Sequence, residues 1–374
     1  MGTKINIHAL IIYLIGLLPI TTLFVMQDIS NKILFLGFIV CFLYTIIREY
    51  KIEKRDFILL IVLLLEFFMS YFITAQMPYF LNDMFYLPLW ILLLLYFTNE
   101  YETFYQMCKK KIIYLERVVK VWALVFLVLR AVIPTANEEF AHRTASSAFL
   151  IIVIVWFIVK ETGNKWFILW MIPPMICVFF MNARTYLIVA MIVACMSYYG
   201  IFEKKRYFFL TIIPVLFITI LMILQTEIGQ RFLNFEESYY GGVLGTITSS
   251  RSVFWMADLQ DFLNTTTLKQ IFGSGYNRVY DVNAATINAR IWGHNDIIHI
   301  LVTNGVLGII LYLYPLVHFL KQYKRNVNID KWLLGFVICI VAFCALLDGL
   351  YHYICALFTL PILLSGLRQV NILV

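Results

Sequence analysis

Charge is scarce in this chain. Of its 374 residues only 14% are Asp, Glu, Lys or Arg, against 62% hydrophobic, and the mean hydropathy is +0.85. A water-soluble domain of this size could not bury so much apolar side chain, so the composition excludes a soluble enzyme and predicts a polytopic membrane protein. Cysteines are few, and none falls in the long polar stretch 226–295: they are Cys41, Cys108, Cys177, Cys195, Cys339, Cys344 and Cys355. That excludes structural disulfides there, and no Cys/His spacing suggests zinc. A small-residue cleavage site is missing after the first apolar stretch, HALIIYLIGLLPITTLFVM, which is long enough to span and is not expected to be a removed signal. Internal repeats and low-complexity linkers are also missing, which weighs weakly against a transporter built from paired halves.

What is present is a series of apolar segments, at about residues 6–26, 32–47, 57–75, 80–98, 118–134, 146–160, 166–181, 184–202, 207–225, 296–320, 332–348 and 353–367. The expected fold class is an all-α polytopic membrane protein of about twelve transmembrane helices. It forms a single membrane domain over 1–374, with one large, partly helical external loop, 226–295, between the ninth and tenth helices. Arg184, in MNARTY, interrupts an apolar run too long for one helix and predicts a tight helical hairpin there. The net charge of +7 first reports orientation rather than nucleic-acid binding. With the N-terminus in the cytoplasm most Lys and Arg fall on the inner side, which puts both termini there.

The basic residues left on the outer side are more informative. They are Lys32, Arg143, Arg184, Arg231, Arg251, Lys269, Arg278 and Arg290, and most are Arg. Arg presents a planar fork suited to phosphate or carboxylate. Chance in so small a set, with headgroup contacts, is the competing explanation. Arg184 at a hairpin between apolar spans is hardest to dismiss, because a cation there is costly without a partner. With Arg143, Arg251, Arg278 and Arg290 it could build a basic outer pocket suited to a lipid diphosphate.

Within the external loop, SSRSVFWMADLQDFL (249–263) predicts an amphipathic helix. Trp255, Met256, Leu259, Phe262 and Leu263 share one face, Arg251, Asp258 and Asp261 fall elsewhere, and Ser249 or Ser250 could cap it. IFGSGYN (271–277), which contains Tyr276, reads as a Gly-rich turn. His294 sits at the outer mouth of the tenth span, where it could act as a general base or serve only structure. Asn295 and Asp296 after it read as helix caps, and Gly305 and Gly308 as close-packing positions. Asp348 and His352, between the last two spans, fall on the same side and help to build a pocket. Glu66 and Arg130, nearer membrane depth, could pair with each other. His294 and His299 are a poor fit to a metal on one helical face.

Several of these stretches resemble one family. HNDIIHILVTNGVLG matches the pattern His-Asn, nine residues, Gly, two residues, Gly of the O-antigen polymerase and ligase superfamily. NARTYLIVA is similar to that family's Arg-bearing span start, and SSRSVFWMADLQDFL with IFGSGYN resembles its Arg…Trp and Gly-x-Gly stretch. The motifs follow in the family's order and cover about residues 140–320. The resemblance implies a GT-C-like glycosyltransferase that moves glycans from undecaprenyl diphosphate on the outer face of the bacterial cytoplasmic membrane. Arg184 and Arg251 would hold the diphosphate, and His294 would activate or orient the acceptor hydroxyl. These three are the expected catalytic residues; Arg143, Arg278, Arg290, Asn295, Tyr276 and Trp255 are the expected substrate contacts. No metal and no cofactor are expected. The implied partners are undecaprenyl-diphosphate-linked oligosaccharides, membrane lipids, and a chain-length regulator and flippase of the same pathway, with no nucleic acid. A repeat-unit polymerase is favoured over a ligase; RFLNFEESYYGG (231–242), with Arg, ten residues, then Gly, is a weak pointer that way. A lipid-linked oligosaccharide flippase is the rival from another class and a non-catalytic membrane component the third reading. The flippase predicts polar residues along a mid-membrane cavity, whereas this chain concentrates Arg and His at its outer side.

Overall fold

The computed structural model describes residues 6–22, 27–49, 54–74, 77–80, 82–132, 138–181, 183–201, 206, 210, 251–326 and 329–367. The expected ninth span, Arg231, the caps Ser249 and Ser250, and the segment 231–242 lie outside them. Among the described residues all regular structure is helical. In chain order the helices are α1 Ile7–Leu17, α2 Gln27–Glu49, α3 Lys54–Thr74, α4 Asp83–Lys110, α5 Ile112–Val132, α6 Glu138–Thr162, α7 Ile172–Phe180 and α8 Arg184–Ile201. After the undescribed stretch come α9 Arg251–Asn264, α10 Thr267–Phe272, α11 Arg278–Ile287, α12 Asp296–Asn326, α13 Lys331–Leu347, α14 Ile354–Leu357 and α15 Thr359–Gly366.

Local sequence explains where several begin. Asn6 caps α1 by accepting from the Ala9 amide, and Asp330 caps α13 by accepting from the Trp332 and Leu333 amides. The hairpin expected at MNARTY is present, since α7 stops at Phe180 and α8 starts at Arg184. The segment 166–181 is less regular than a single span: it opens as a 3-10 turn, Lys165–Met171, and becomes α-helical only at Ile172, where prolines follow.

Helix α6 forms the centre. Its residues 148–158 are buried on every side, as an all-apolar helix must be inside a bundle. It packs against α5, α7, α8 and α15. Helix α3 is the opposite case. It exposes Phe57, Ile58, Ile61, Leu64, Leu65, Phe68 and Phe72, an apolar face that water would not tolerate and a bilayer would cover. Among the described residues three helical stretches are long and apolar enough to cross a membrane: Lys54–Ile73, Ala141–Thr162 and Asp296–Lys324. These features fit membrane association. Helix α12 lies along α4, where Trp90 stacks on Tyr312 at 5.0 Å and donates from Nε1 to the Tyr312 carbonyl at 2.9 Å.

Helix α12 breaks at Gly305, whose φ of 69° and ψ of −167° suit glycine alone. In an unbroken helix the carbonyls of Val302 and Thr303 would accept from residues 306 and 307. Here they accept from the Ser274 and Gly275 amides, at 2.8 and 3.1 Å. A Cβ at Gly305 would stand 2.4 Å from the Ile271 carbonyl oxygen, and one at Gly273 would stand 2.0 Å from that of Thr303. Gly305 was expected to let helices pack closely; instead it breaks a helix so that the Gly-rich turn can dock on the opened backbone. Beside it, Glu66 accepts from Asn304 Nδ2 at 2.7 Å; the side chain of Arg130, its expected partner, lies outside the described residues.

The amphipathic helix α9 also departs from expectation. Its buried face is Ser252, Phe254, Asp258 and Phe262, while Met256 and Leu263 are exposed. Apolar spacing alone selected the wrong stripe. The helix is turned so that Arg251 and Asp258, expected on the far side, face the protein.

Candidate functional site

The site is organised by the short stretch after α13. That helix ends at Leu347, and the amides of Asp348 and Gly349 both return to the Cys344 carbonyl, at 3.2 and 2.7 Å. The following backbone is gripped from four directions. Asn295 Nδ2 donates to the Leu346 carbonyl at 2.9 Å. Thr185 and Arg251 both donate to the Leu347 carbonyl. Tyr186 donates to the Gly349 carbonyl, and Asp296 accepts from the Leu350 and Tyr351 amides at 2.8 and 3.2 Å. Gly349 is required by space: a Cβ would sit 2.3 Å from the Trp292 indole. The result is a fixed carboxylate, Asp348, fully buried where α6, α8, α9 and the residues before α12 meet.

Three side chains converge on that carboxylate. His142 Nδ1 is 2.9 Å from Oδ2, His294 Nδ1 is 3.3 Å from Oδ1, and Arg251 Nη2 is 3.8 Å from Oδ1. An ionised carboxylate only accepts, so each imidazole carries its proton on Nδ1. His142 Nε2 then accepts from Arg251 Nη2 at 3.4 Å. For His294 the same tautomer leaves the Nε2 lone pair for a substrate proton. His294 also holds a φ of 47°, an uncommon conformation for a residue with a side chain, and it stacks beside Trp292 at 4.6 Å. Backbone held in this region often marks a site whose geometry is imposed by its surroundings. Trp255 helps to impose it, donating from Nε1 to the Gly293 carbonyl at 2.6 Å.

Burial lowers His294 to about 3, with the Arg251 charge adding to the effect and Asp348 opposing it. The ring is therefore neutral at pH 7. Burial by itself would raise Asp348; the hydrogen bonds and charges of His142, His294 and Arg251 outweigh it and hold the carboxyl below its ordinary range. At neutral pH the cluster therefore holds the Asp348 carboxylate beside the Arg251 guanidinium, with His294 uncharged.

His142, His294 and Asp348 offer ligand atoms within 4.8 Å of one another, and by distance alone they could hold a metal ion. The donor set argues otherwise. Both Nδ1 atoms are committed as proton donors to the carboxylate, and a metal would have to displace those protons and lie beside the Arg251 guanidinium. Arg251 already supplies the positive charge on this carboxylate.

The other expected site residues divide. Arg251 and His294 come together. Arg184 opens α8 immediately before Thr185 and Tyr186, which bind the Asp348 stretch, so its backbone borders the cluster and its side chain is partly buried. Arg143 follows His142 on α6 and lines a narrow fissure with Ser146, His352 and Tyr353. His352 stacks flat on Trp292 at 4.1 Å, which ties it to the same wall. Asn295 accepts from the Ile298 amide as a helix cap, so both ends of its amide are used within the protein. Arg278 is paired bidentately with Asp261, and Arg290 lies 4.9 Å over the Tyr79 ring, so both belong to a different cluster, around Tyr79 and Asp281. Tyr276 lines a cavity beside that cluster.

His142 was not foreseen. Its sequence signal is weak: AHRTASS places it next to Arg143, but an apolar segment drawn from residue 146 leaves it in a connecting loop. Helix α6 begins earlier, at Glu138, and carries it into the site. Comparison with protein-family models and with curated proteins returns no match for this chain.

Proposed function

We propose that this protein is a membrane glycosyltransferase that polymerises undecaprenyl-diphosphate-linked oligosaccharide repeat units into O-antigen or capsular polysaccharide. In this reading the chain crosses the bacterial cytoplasmic membrane about twelve times, with both termini inside and the His294 cluster on the outer face. The observation that carries it is the single buried carboxylate, Asp348, that orients His294 and His142 and keeps Arg251 beside them. The motif resemblance supports the family; the cluster supports the chemistry.

The acceptor hydroxyl oxygen attacks the anomeric carbon of the donor sugar. The bond from that carbon to the diphosphate oxygen breaks, and undecaprenyl diphosphate leaves with the electron pair. Its charge needs neutralising, which Arg251 and Arg184 would do, and a diphosphate so held needs no protonating acid. The hydroxyl proton passes to His294 Nε2, and Asp348 stabilises the imidazolium formed, as the carboxylate of a serine-protease triad does. An imidazole held near 3 is a weak base in the empty site. A bound diphosphate would offset the Arg251 charge that helps to depress it, so substrate binding raises its basicity where it is needed.

Glycan length in cells tests this reading. A strain without the protein should export single repeat units only, and His294→Ala or Arg251→Ala at normal abundance should fail to restore long chains. Repeat units trapped on the inner side would favour the flippase instead, and full-length chains still attached to undecaprenyl diphosphate would favour the ligase.

A further inference from the structure

A polar cavity of about 260 Å³ lies away from the Asp348 cluster, between the outer end of α3 and the helices α10 and α11. Thr265, Lys269, Ser274, Tyr276, Arg278 and Asp281 line it, and Ile73 closes one side. Its walls are fixed. The Ser274 and Gly275 amides are anchored on the broken backbone of α12. Asn277 donates to the Met77 carbonyl at 2.8 Å and accepts from the Tyr79 amide at 2.7 Å, tying α11 to the connection between α3 and α4. Asp281 accepts from the Tyr79 hydroxyl at 2.9 Å.

The lining selects a ligand class. Arg278 is neutralised by its pairing with Asp261, and Lys269 and Asp281 are of opposite sign. The cavity therefore has no excess positive charge, unlike a diphosphate site. What it offers is hydroxyls on Thr265 and Ser274, one cation, one carboxylate and an aromatic residue. That is the equipment of a site for a hydroxyl-rich, uncharged ring. Its volume is just below the roughly 300 Å³ at which sites for drug-sized ligands begin, which fits one or two sugar rings. Its anchor carbonyls, Val302 and Thr303, lie six and seven residues beyond Asp296 on α12, about 10 Å at the helical rise. A glycan seated here could reach the Asp348 cluster.

We propose that this cavity is a saccharide subsite that holds uncharged sugar of the acceptor glycan. The proposal rests on the glycan-transfer reading for its role, but its binding can be measured separately. Saturation-transfer NMR with the purified full-length protein would use lactose and di-N-acetylchitobiose as probes and inorganic diphosphate as competitor. Wild type and Asp348→Asn should bind at least one of these sugars alike. Ser274→Trp, which fills the cavity while leaving its backbone anchor intact, should weaken binding about ten-fold or more. Lys269→Ala, at a half-buried position outside the packed core, should weaken it about two- to five-fold. Diphosphate should not compete. Undiminished binding by both cavity variants, displacement by diphosphate, or no binding of either sugar by the wild type overturns the proposal. Sugar binding that Ser274→Trp abolishes, in a protein that forms no glycan bond with lipid-linked units, supports the subsite and overturns the transfer reading.

Discussion

Asp348→Asn preserves shape and removes one charge, so it isolates what the buried carboxylate does. The carboxylate now accepts from His142 at 2.9 Å and from His294 at 3.3 Å, and faces Arg251 at 3.8 Å. An amide can accept at one end only and donates from the other. One imidazole must then present a lone pair at Nδ1 and move its proton to Nε2. If that ring is His294, the base is lost; if it is His142, its Nε2 no longer accepts from Arg251, which keeps only the Leu347 carbonyl. In either case Arg251 has no counter-ion. Replacing the orienting carboxylate of a serine-protease triad by an amide costs about 10⁴ in kcat. The longer His294 contact here leaves the amide free to choose the better orientation, so the expected loss is about 10²- to 10⁴-fold, or roughly 3–5 kcal/mol in the barrier. The assay is the initial rate of glycan-ladder formation by protein in vesicles, at matched abundance. The double variant Asp348→Asn, His294→Ala should be no slower than His294→Ala alone, because the two act as one unit. An Asp348→Asn rate within about three-fold of wild type, or losses that simply add, would refute the reasoning.

Further outcomes follow from the same geometry. Because the free-enzyme His294 is depressed to about 3, its neutral form persists well below pH 6.5; kcat/KM should stay flat from about pH 7 to 5, while a fall centred near 6.5 would contradict the burial argument. Chelators should leave activity unchanged and added zinc should inhibit it, since zinc can take the His142, His294 and Asp348 donors only by expelling Arg251; chelator-sensitive activity restored by zinc would reverse that assignment. Gly305→Ala forces a Cβ onto backbone atoms of residues 271 and 273 and should reduce folded abundance by more than the ~1–3 kcal/mol of dihedral strain alone; normal thermal stability of that variant would contradict the docked turn. Asp258 is buried, neither carboxylate oxygen has a hydrogen-bond partner among the described residues, and burial with the Asp261 charge raises it to about 8. It is thus protonated when folded at pH 7, and stability should fall as pH rises through about 8. Asp258→Asn should flatten that dependence, measured as thermal unfolding across pH 6–9, and an unchanged slope would count against it.

Local chemistry was legible where a residue type has few uses. Arg251 stands out as one of the few Arg on the outer side and His294 as a possible base at the mouth of a span, and Asn295 reads as the cap that it is. The hairpin at Arg184 follows from an apolar run too long for one helix. What stayed hidden depends on rotation and on distant pairing. Helix α9 turns Arg251 and Asp258 inward because Arg251 reaches the Leu347 carbonyl and Asp348, contacts that apolar periodicity cannot register. His142 enters the site only because the central helix starts about two turns before the apolar segment does. Asp348 was visible as a polar residue between spans; its role as the anchor of two imidazoles depends on the Asn295, Asp296, Thr185 and Tyr186 contacts that hold its backbone in place. Gly305 shows the same limit, since a glycine that breaks a helix and one that lets helices approach look identical in a sequence.

The central claim is that the His142–Asp348–His294 cluster with Arg251 transfers glycan from a lipid diphosphate. Its most direct test is purified protein in vesicles supplied with undecaprenyl-diphosphate-linked repeat units and no nucleotide, with glycan bonds and released undecaprenyl diphosphate counted together. The account predicts laddered products, one undecaprenyl diphosphate per bond formed, and ladder formation at least about 10²-fold slower in His294→Ala, Arg251→Ala and Asp348→Asn. No ladder from the wild type, or a ladder of wild-type length from His294→Ala, would contradict it.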